Sequence, residues 1–177
     1  SYMSKDENYT KYFEYFNFFV FSMLLLVLSG NFLVMFFGWE LVGLSSYLLI
    51  SFWSEKKSAA RAGNKAFILN RIGDFGFLIG LMMILNEFQT FNFLSIFEST
   101  LETKPENLDV IILFLLLGAF GKSAQFPLFS WLPDAMEGPT PASALIHAAT
   151  MVTAGVFMLV RISPILQFSE LGSLTII

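Results

Sequence analysis

The chain has 177 residues, 55% of them hydrophobic and 14% charged, with a net charge of −4 at pH 7 and a mean hydropathy of +0.67. Soluble domains carry about a quarter charged residues, so this composition describes a membrane protein. Its basic residues are scattered rather than gathered in one stripe, which excludes a nucleic-acid footprint. The absence of cysteine excludes a disulfide, a thiolate zinc site and an iron–sulfur cluster, and leaves any redox chemistry to a partner.

Residues 1–12 form a polar N-terminal segment, and no short apolar core with a small-residue cleavage site follows it, so no secretory signal is expected. A bilayer core of about 30 Å takes roughly 20 apolar residues to cross. Five segments reach that length, at about 13–30, 32–53, 66–85, 109–129 and 141–166, and a sixth is expected to start near Leu171. Each must be helical, because hydrocarbon offers backbone groups no other partner. The fold class expected is an all-α polytopic membrane helix bundle of about five transmembrane helices, organised as one domain over 1–177. Ser29-Gly30-Asn31 leaves room only for a tight hairpin between the first two helices.

Glu55, Lys56, Lys57, Arg61 and Lys65 make the loop at 54–65 net positive, which places it on the inside, cytoplasm or matrix. The acidic loop at 86–108, with Glu87, Glu98, Glu102 and Glu106, then falls outside. The turn at 133–141 returns inside, with Thr140 as the expected N-cap and Pro141 as the first residue of the last helix.

Four titratable residues interrupt the apolar segments: Glu40, Asp74, Lys122 and His147. Even lenient insertion scales charge about 2.5–3.5 kcal/mol for an ion at the bilayer centre, so such residues point to a proton or ion path. Helical rise places Glu40 and Asp74 about 12 Å from a helix end, Lys122 about 18 Å and His147 about 9 Å. All four therefore share a broad central band.

Lys122 stands in GAFGKSAQFP, where two glycines and a proline interrupt the helix, and broken helices at mid-depth line transport sites. The alternative is a lysine that snorkels to the interface. Glu40, in FGWELVG, has Lys122 as its expected partner, since an opposing carboxylate that approaches and withdraws makes a lysine's proton site switchable. A static ion pair joining two helices is the bland alternative. Asp74 follows Arg71 by three residues, the spacing of an ordinary intrahelical pair, and is also a candidate second carboxylate for the lysine. His147, the one histidine, is either a packed core residue or a proton relay with Thr150 and Thr153 on its flank. One histidine without cysteine gives no metal site, and no phosphate loop or dinucleotide fingerprint is present.

Four blocks carry a family resemblance: GWELVGLSSYLLISFW at 38–53, RIGDFGF at 71–77, GAFGKSAQFPLFSW at 118–131 and LPDAMEGPTPASALIHAATMVTAGVFMLVR at 132–161. They resemble the antiporter-like subunits of respiratory complex I, of the NADH dehydrogenase subunit 5 type. The same blocks occur in bacterial and chloroplast counterparts and in the large subunit of Mrp-type sodium/proton antiporters. The resemblance implies a fragment covering the first of two inverted five-helix repeats, completed by a second half from another chain or from a longer one. It implies Lys122 as the pumping lysine on a discontinuous helix, Glu40 as its modulating glutamate, Asp74 as an additional acid and His147 as the relay toward the second half-channel. It implies that flavin, iron–sulfur clusters, NADH and ubiquinone belong to partner subunits, with no cofactor in this chain. The partners implied are other membrane-arm subunits and lipids, in the mitochondrial inner membrane, with 54–65 on the matrix side. The competing expectations are an Mrp-type antiporter subunit and a structural membrane piece with an inactive site.

Overall fold

The computed structural model describes residues 3, 6–102 and 105–169, and the expected sixth span lies outside them. Helix α1 (Tyr9–Val27) and helix α2 (Phe32–Ile50) form the expected hairpin. The Asn31 side chain caps α2 by accepting from the Val34 N–H at 2.8 Å, as an N-cap asparagine should. α1 starts inside the polar segment expected at 1–12, because Tyr12 is buried edge-on against Phe52 with ring centroids 5.7 Å apart.

Helix α3 runs over Lys57–Phe88, so most of the basic loop expected at 54–65 is helix instead. Its stretch KSAARAGNK is rich in strong helix formers, and charge at the membrane edge does not stop a helix. The acidic loop expected at 86–108 likewise contains a helix, α4 (Phe93–Glu102), whose Phe93, Ile96 and Thr100 face the core at helical spacing. Helix α5 (Leu108–Lys122) ends at the lysine rather than at 129, and Ala124 takes a left-handed φ of 50° just beyond it. The expected discontinuity near Lys122 is present. A 3-10 turn (Asp134–Glu137) leads to α6 (Thr140–Ala144), a π-helical turn (Leu145–Ala149), α7 (Met151–Arg161) and α8 (Ser163–Leu166). Thr140 is therefore the first helical residue, not the cap, and the helix expected over 141–166 has a second break beside His147.

Contacts between turns show how the helices alternate. At one end Phe32 N–H donates to the Phe91 carbonyl at 3.0 Å, and the Arg161 guanidinium donates to the Ser29 carbonyl at 3.1 Å. At the other, Lys65 pairs with Asp134 at 2.6 Å, Ser58 donates to Glu137 at 3.1 Å and the Trp53 indole donates to Asp6 at 3.1 Å. The hairpin and the α4 region thus share one end, and the N-terminus, the start of α3 and the 133–141 turn share the other, as the charge pattern requires.

Among the described residues, three spans, Phe32–Ile50, Lys57–Phe88 and Thr140–Arg161, are long and apolar enough to cross a bilayer. α1 carries Lys11 and Glu14 in its first turns, and α5 has 15 residues, about 22 Å of helix. Glycines bring the central helices close. A Cβ on Gly73 would lie 3.0 Å from the Gly121 Cα, joining α3 to α5, and one on Gly38 would lie 2.6 Å from the Leu26 backbone, joining α2 to α1. Small residues at contacts are how helices associate where lipid removes the hydrophobic drive. Phe37, Ile68, Ile72, Phe75, Leu113 and Val160 point outward, as lipid-facing side chains do. The hydroxyls of Ser22, Ser45, Ser46 and Ser51 donate back to carbonyls of their own helices, so the apolar segments carry them without orphaned donors.

Candidate functional site

The buried stripe of α3 contains Asn70, Gly73, Asp74, Phe77, Gly80, Leu81 and Ile84, and that face meets α2 and α5. Lys122, at the last position of α5, is fully buried, and its Nζ lies 3.5 Å from Asp74 Oδ2. Asp74 Oδ1 accepts a 2.8 Å bond from the Trp39 indole N–H of α2. The Nζ also sits 5.8 Å from the centre of the Trp39 ring, within the range of a cation–π contact. One turn along α2, Gly43 leaves the space the ammonium occupies, since a Cβ there would lie 2.7 Å from Nζ. Three helices therefore converge on one lysine and one carboxylate.

Glu40 is not the partner of Lys122, contrary to expectation. It pairs with Arg71 across α2 and α3, both side chains partly exposed, and the guanidinium lies 4.7 Å from the Phe67 ring centre. The reason is helical geometry. Glu40 is rotated about 100° from Trp39 around α2, away from the face that Trp39 and Gly43 share. Arg71 similarly lies off the buried stripe that carries Asp74, so the intrahelical Arg71–Asp74 pair gives way to two interhelical pairs.

His147 sits in the π-helical turn, its ring 6.4 Å from Trp131 and tilted 23° from it. Both ring nitrogens are buried without a hydrogen-bond partner; the Ala135 carbonyl approaches the ring outside hydrogen-bond geometry. Trp131, fully buried, donates from its indole to the Gly121 carbonyl at 3.1 Å and so stands between the end of α5 and the histidine. The Thr150 hydroxyl donates to the Leu145 carbonyl at 2.8 Å, bridging the π turn, and Thr153 donates to Thr150 at 2.8 Å. Single π turns are frequent at functional sites. Asn70, one turn from Asp74 along the buried stripe, keeps an unpartnered buried Oδ1.

Three contributors, Trp39, Gly43 and Trp131, carry geometry that a search for buried titratable groups passes over, and Arg71, expected beside Asp74, serves Glu40 instead. The i, i+4 spacing of Trp39 and Gly43, and the alignment of Asp74 with the glycines of α3, are the signals that point to the buried face.

A helical membrane bundle with a buried lysine–carboxylate pair at the end of an interrupted helix defines the class: a membrane protein built around an intramembrane ionisable site. A family model described as NADH:quinone oxidoreductase/Mrp antiporter, TM, matches residues 29–177, and the chain belongs to that family. NADH-ubiquinone oxidoreductase chain 5 of Acanthamoeba castellanii is 53% identical over 97% of this chain and 27% of the relative. NADH-quinone oxidoreductase subunit L of Neisseria meningitidis is 51% identical over 92% of this chain and 26% of the relative. Among solved structures, a chain of the Mrp complex from Dietzia sp. superposes with a TM-score of 0.78 at 32% identity, covering 89% of this chain and 17% of that one. The chain spans about a quarter of the length of these curated relatives.

Proposed function

We propose that this chain is the part of a complex I antiporter-like subunit that carries one proton-translocating lysine site. The observation that carries the reading is the fully buried Lys122 facing Asp74 at 3.5 Å where α5 breaks. A charge so placed is costly in hydrocarbon and is rarely kept without a transport role. Lys122 is the group that gains and loses the proton, and Asp74 is its direct counter-charge. Glu40 and Arg71 act one layer further out, since Arg71 and Asp74 lie three residues apart on α3 and a change in the outer pair alters the field at the inner one. His147 receives the proton through water past Trp131 and passes it toward a site on another segment or chain. This exchange is a coupled titration of several groups rather than the work of one residue.

In this reading the chain holds no cofactor: NADH, flavin, iron–sulfur clusters and ubiquinone belong to partner subunits, and electron transfer there drives the charge changes here. The partners are the other membrane-arm subunits, a segment supplying the second lysine site, and lipid. The place is the mitochondrial inner membrane, with the start of α3 and the 133–141 turn toward the matrix. The eukaryotic source of such relatives supports the mitochondrial membrane, and the basic residues at 54–65 support the matrix side.

Replacing Lys122 by alanine in the assembled complex abolishes proton pumping while NADH oxidation and assembly persist. An unchanged proton-to-electron ratio refutes the reading. The likeness to the Mrp complex favours a second reading, sodium/proton exchange without redox coupling. That reading predicts cation exchange in vesicles that lack NADH and quinone, and no co-purifying flavin.

A further inference from the structure

The lysine site contains a side chain whose role the proton path does not explain: Trp39. Its indole N–H takes Asp74 Oδ1 at 2.8 Å, while the ammonium of Lys122 has the other oxygen at 3.5 Å. The neutral donor thus holds the shorter bond, and the charged donor the longer one. The same indole turns its face to the ammonium, 5.8 Å from the ring centre. Gly43, one turn along the same face of α2, leaves the space that the ammonium occupies.

We propose that Trp39 is the positioning residue of this site, with two separable parts. The indole N–H pins Oδ1 of Asp74, so that the carboxylate presents only Oδ2 to the lysine. The ring face supplies a second, weaker stabilising surface for the ammonium. Trp39 touches no substrate other than through these two neighbours, so its effect appears in how Lys122 titrates, not in a step of its own. Its position supports this assignment: Trp39 is fully buried, held edge-on by the Phe77 ring at 5.2 Å, and therefore presents its N–H in a fixed direction. A fixed donor on a carboxylate makes a charge-assisted bond, stronger than a neutral hydrogen bond, whereas the ammonium lies near the far limit of a cation–π contact, 5.8 Å from the ring centre. The N–H is thus the larger of the two contributions.

The inference rests on Lys122 being the proton-carrying group, and the test separates the two claims. Trp39→Phe keeps an aromatic face and removes the N–H; Trp39→Leu removes both. Each is measured in the full assembled complex, with proton pumping normalised to complex recovered on a native gel and followed across pH. Trp39→Phe should displace the pH profile of pumping and lower its maximum by about tenfold, and Trp39→Leu should lower it further. In an Asp74→Asn background, Trp39→Phe should add little, because it acts through that carboxylate. A normal pH profile in Trp39→Phe, or effects that simply add in the double variant, overturns the positioning role. Loss of assembly in Trp39→Phe without any displaced profile in what does assemble makes Trp39 a packing residue and also overturns it. If Lys122→Ala pumps normally, the underlying reading of the lysine fails, whatever Trp39 does.

Discussion

Two of the ion pairs on α3, Lys122–Asp74 and Glu40–Arg71, lie within the apolar segments and differ in burial and in the helix that supplies the partner. Lys122–Asp74 is buried among Trp39, Gly43 and the α3–α5 glycine contact, whereas Glu40–Arg71 lies toward the outside of the bundle, with side-chain exposures of 21% and 42%. Arg71 and Asp74, one from each pair, sit three residues apart on α3, and Trp39 sits beside Glu40 on α2. In the inner pair the two carboxylate oxygens of Asp74 are divided between two donors, Oδ1 to the Trp39 indole and Oδ2 to the Lys122 ammonium. The outer pair is adjustable, because whatever packs against that face reaches it. The inner pair spans α3 and α5 and the outer pair α2 and α3, so α3 carries one member of each.

Breaking the inner pair should have the largest effect. Asp74→Asn leaves a buried ammonium without its counter-charge, and one-sided removal of a buried pair costs about 3–5 kcal/mol. The thermal midpoint of the assembled complex should fall accordingly, and converting Lys122 to Met in the same protein should restore the midpoint without restoring pumping. Glu40→Gln, in contrast, should move the midpoint little, because partly exposed pairs are worth about 0–1 kcal/mol. Equal losses for Asp74→Asn and Glu40→Gln would erase the distinction between the two pairs.

Two glycines of α2 sharpen the same contrast at smaller magnitude. Gly38→Ala forces a Cβ to within 2.6 Å of the Leu26 backbone, which cannot yield cheaply, and should cost about 1–3 kcal/mol of stability with an unchanged pH profile of pumping. Gly43→Ala brings a Cβ to 2.7 Å from the end of the Lys122 side chain and 3.9 Å from Asp74 Oδ2, with no backbone in the way. The lysine moves aside, so the expected loss is in pumping rather than in stability. Thermal melts paired with proton-to-electron ratios separate the two outcomes.

The smallest effect lies far from both pairs, at the N-terminal end. The Asn8 backbone N–H at 2.9 Å, with the Trp53 indole behind it, holds the Asp6 carboxyl below its ordinary range. A carboxylate with a lowered folded value stabilises the fold above its unfolded pKa and loses that contribution as pH falls through the folded value. The contact between Asp6 and Trp53 should therefore persist at neutral pH and release on acidification below about pH 4. Tryptophan fluorescence, compared with Trp53→Phe, reports the release; a signal flat through that range removes the tether.

Composition and apolar length were sufficient for the fold class, the approximate positions of the helices, the hairpin at Ser29–Asn31 and the break at Lys122. These features depend on local physics: the bilayer demands saturated backbone, and glycine, proline and loop charge act where they stand. The helical stretch at the start of α3 and the helix α4 were harder to read, because both lie where water and lipid meet and apolar length no longer decides. The π turn at His147 has no local mark that distinguishes it from continuous helix. Its Thr150–Leu145 bond becomes visible only with the backbone in place.

The presence of Glu40, Asp74, Lys122 and His147 in apolar segments is a property of the sequence, and it established that an intramembrane ionisable site exists. Which carboxylate faces the lysine was decided by the tertiary structure. Asp74 stands on the glycine stripe along which α3 approaches α5, and Trp39 with Gly43 forms the facing wall. Glu40, one residue further along α2, is carried away from the lysine by helical rotation alone. Helix depth can be counted from a sequence, but the azimuth of a side chain acquires a meaning only when a second helix packs against it.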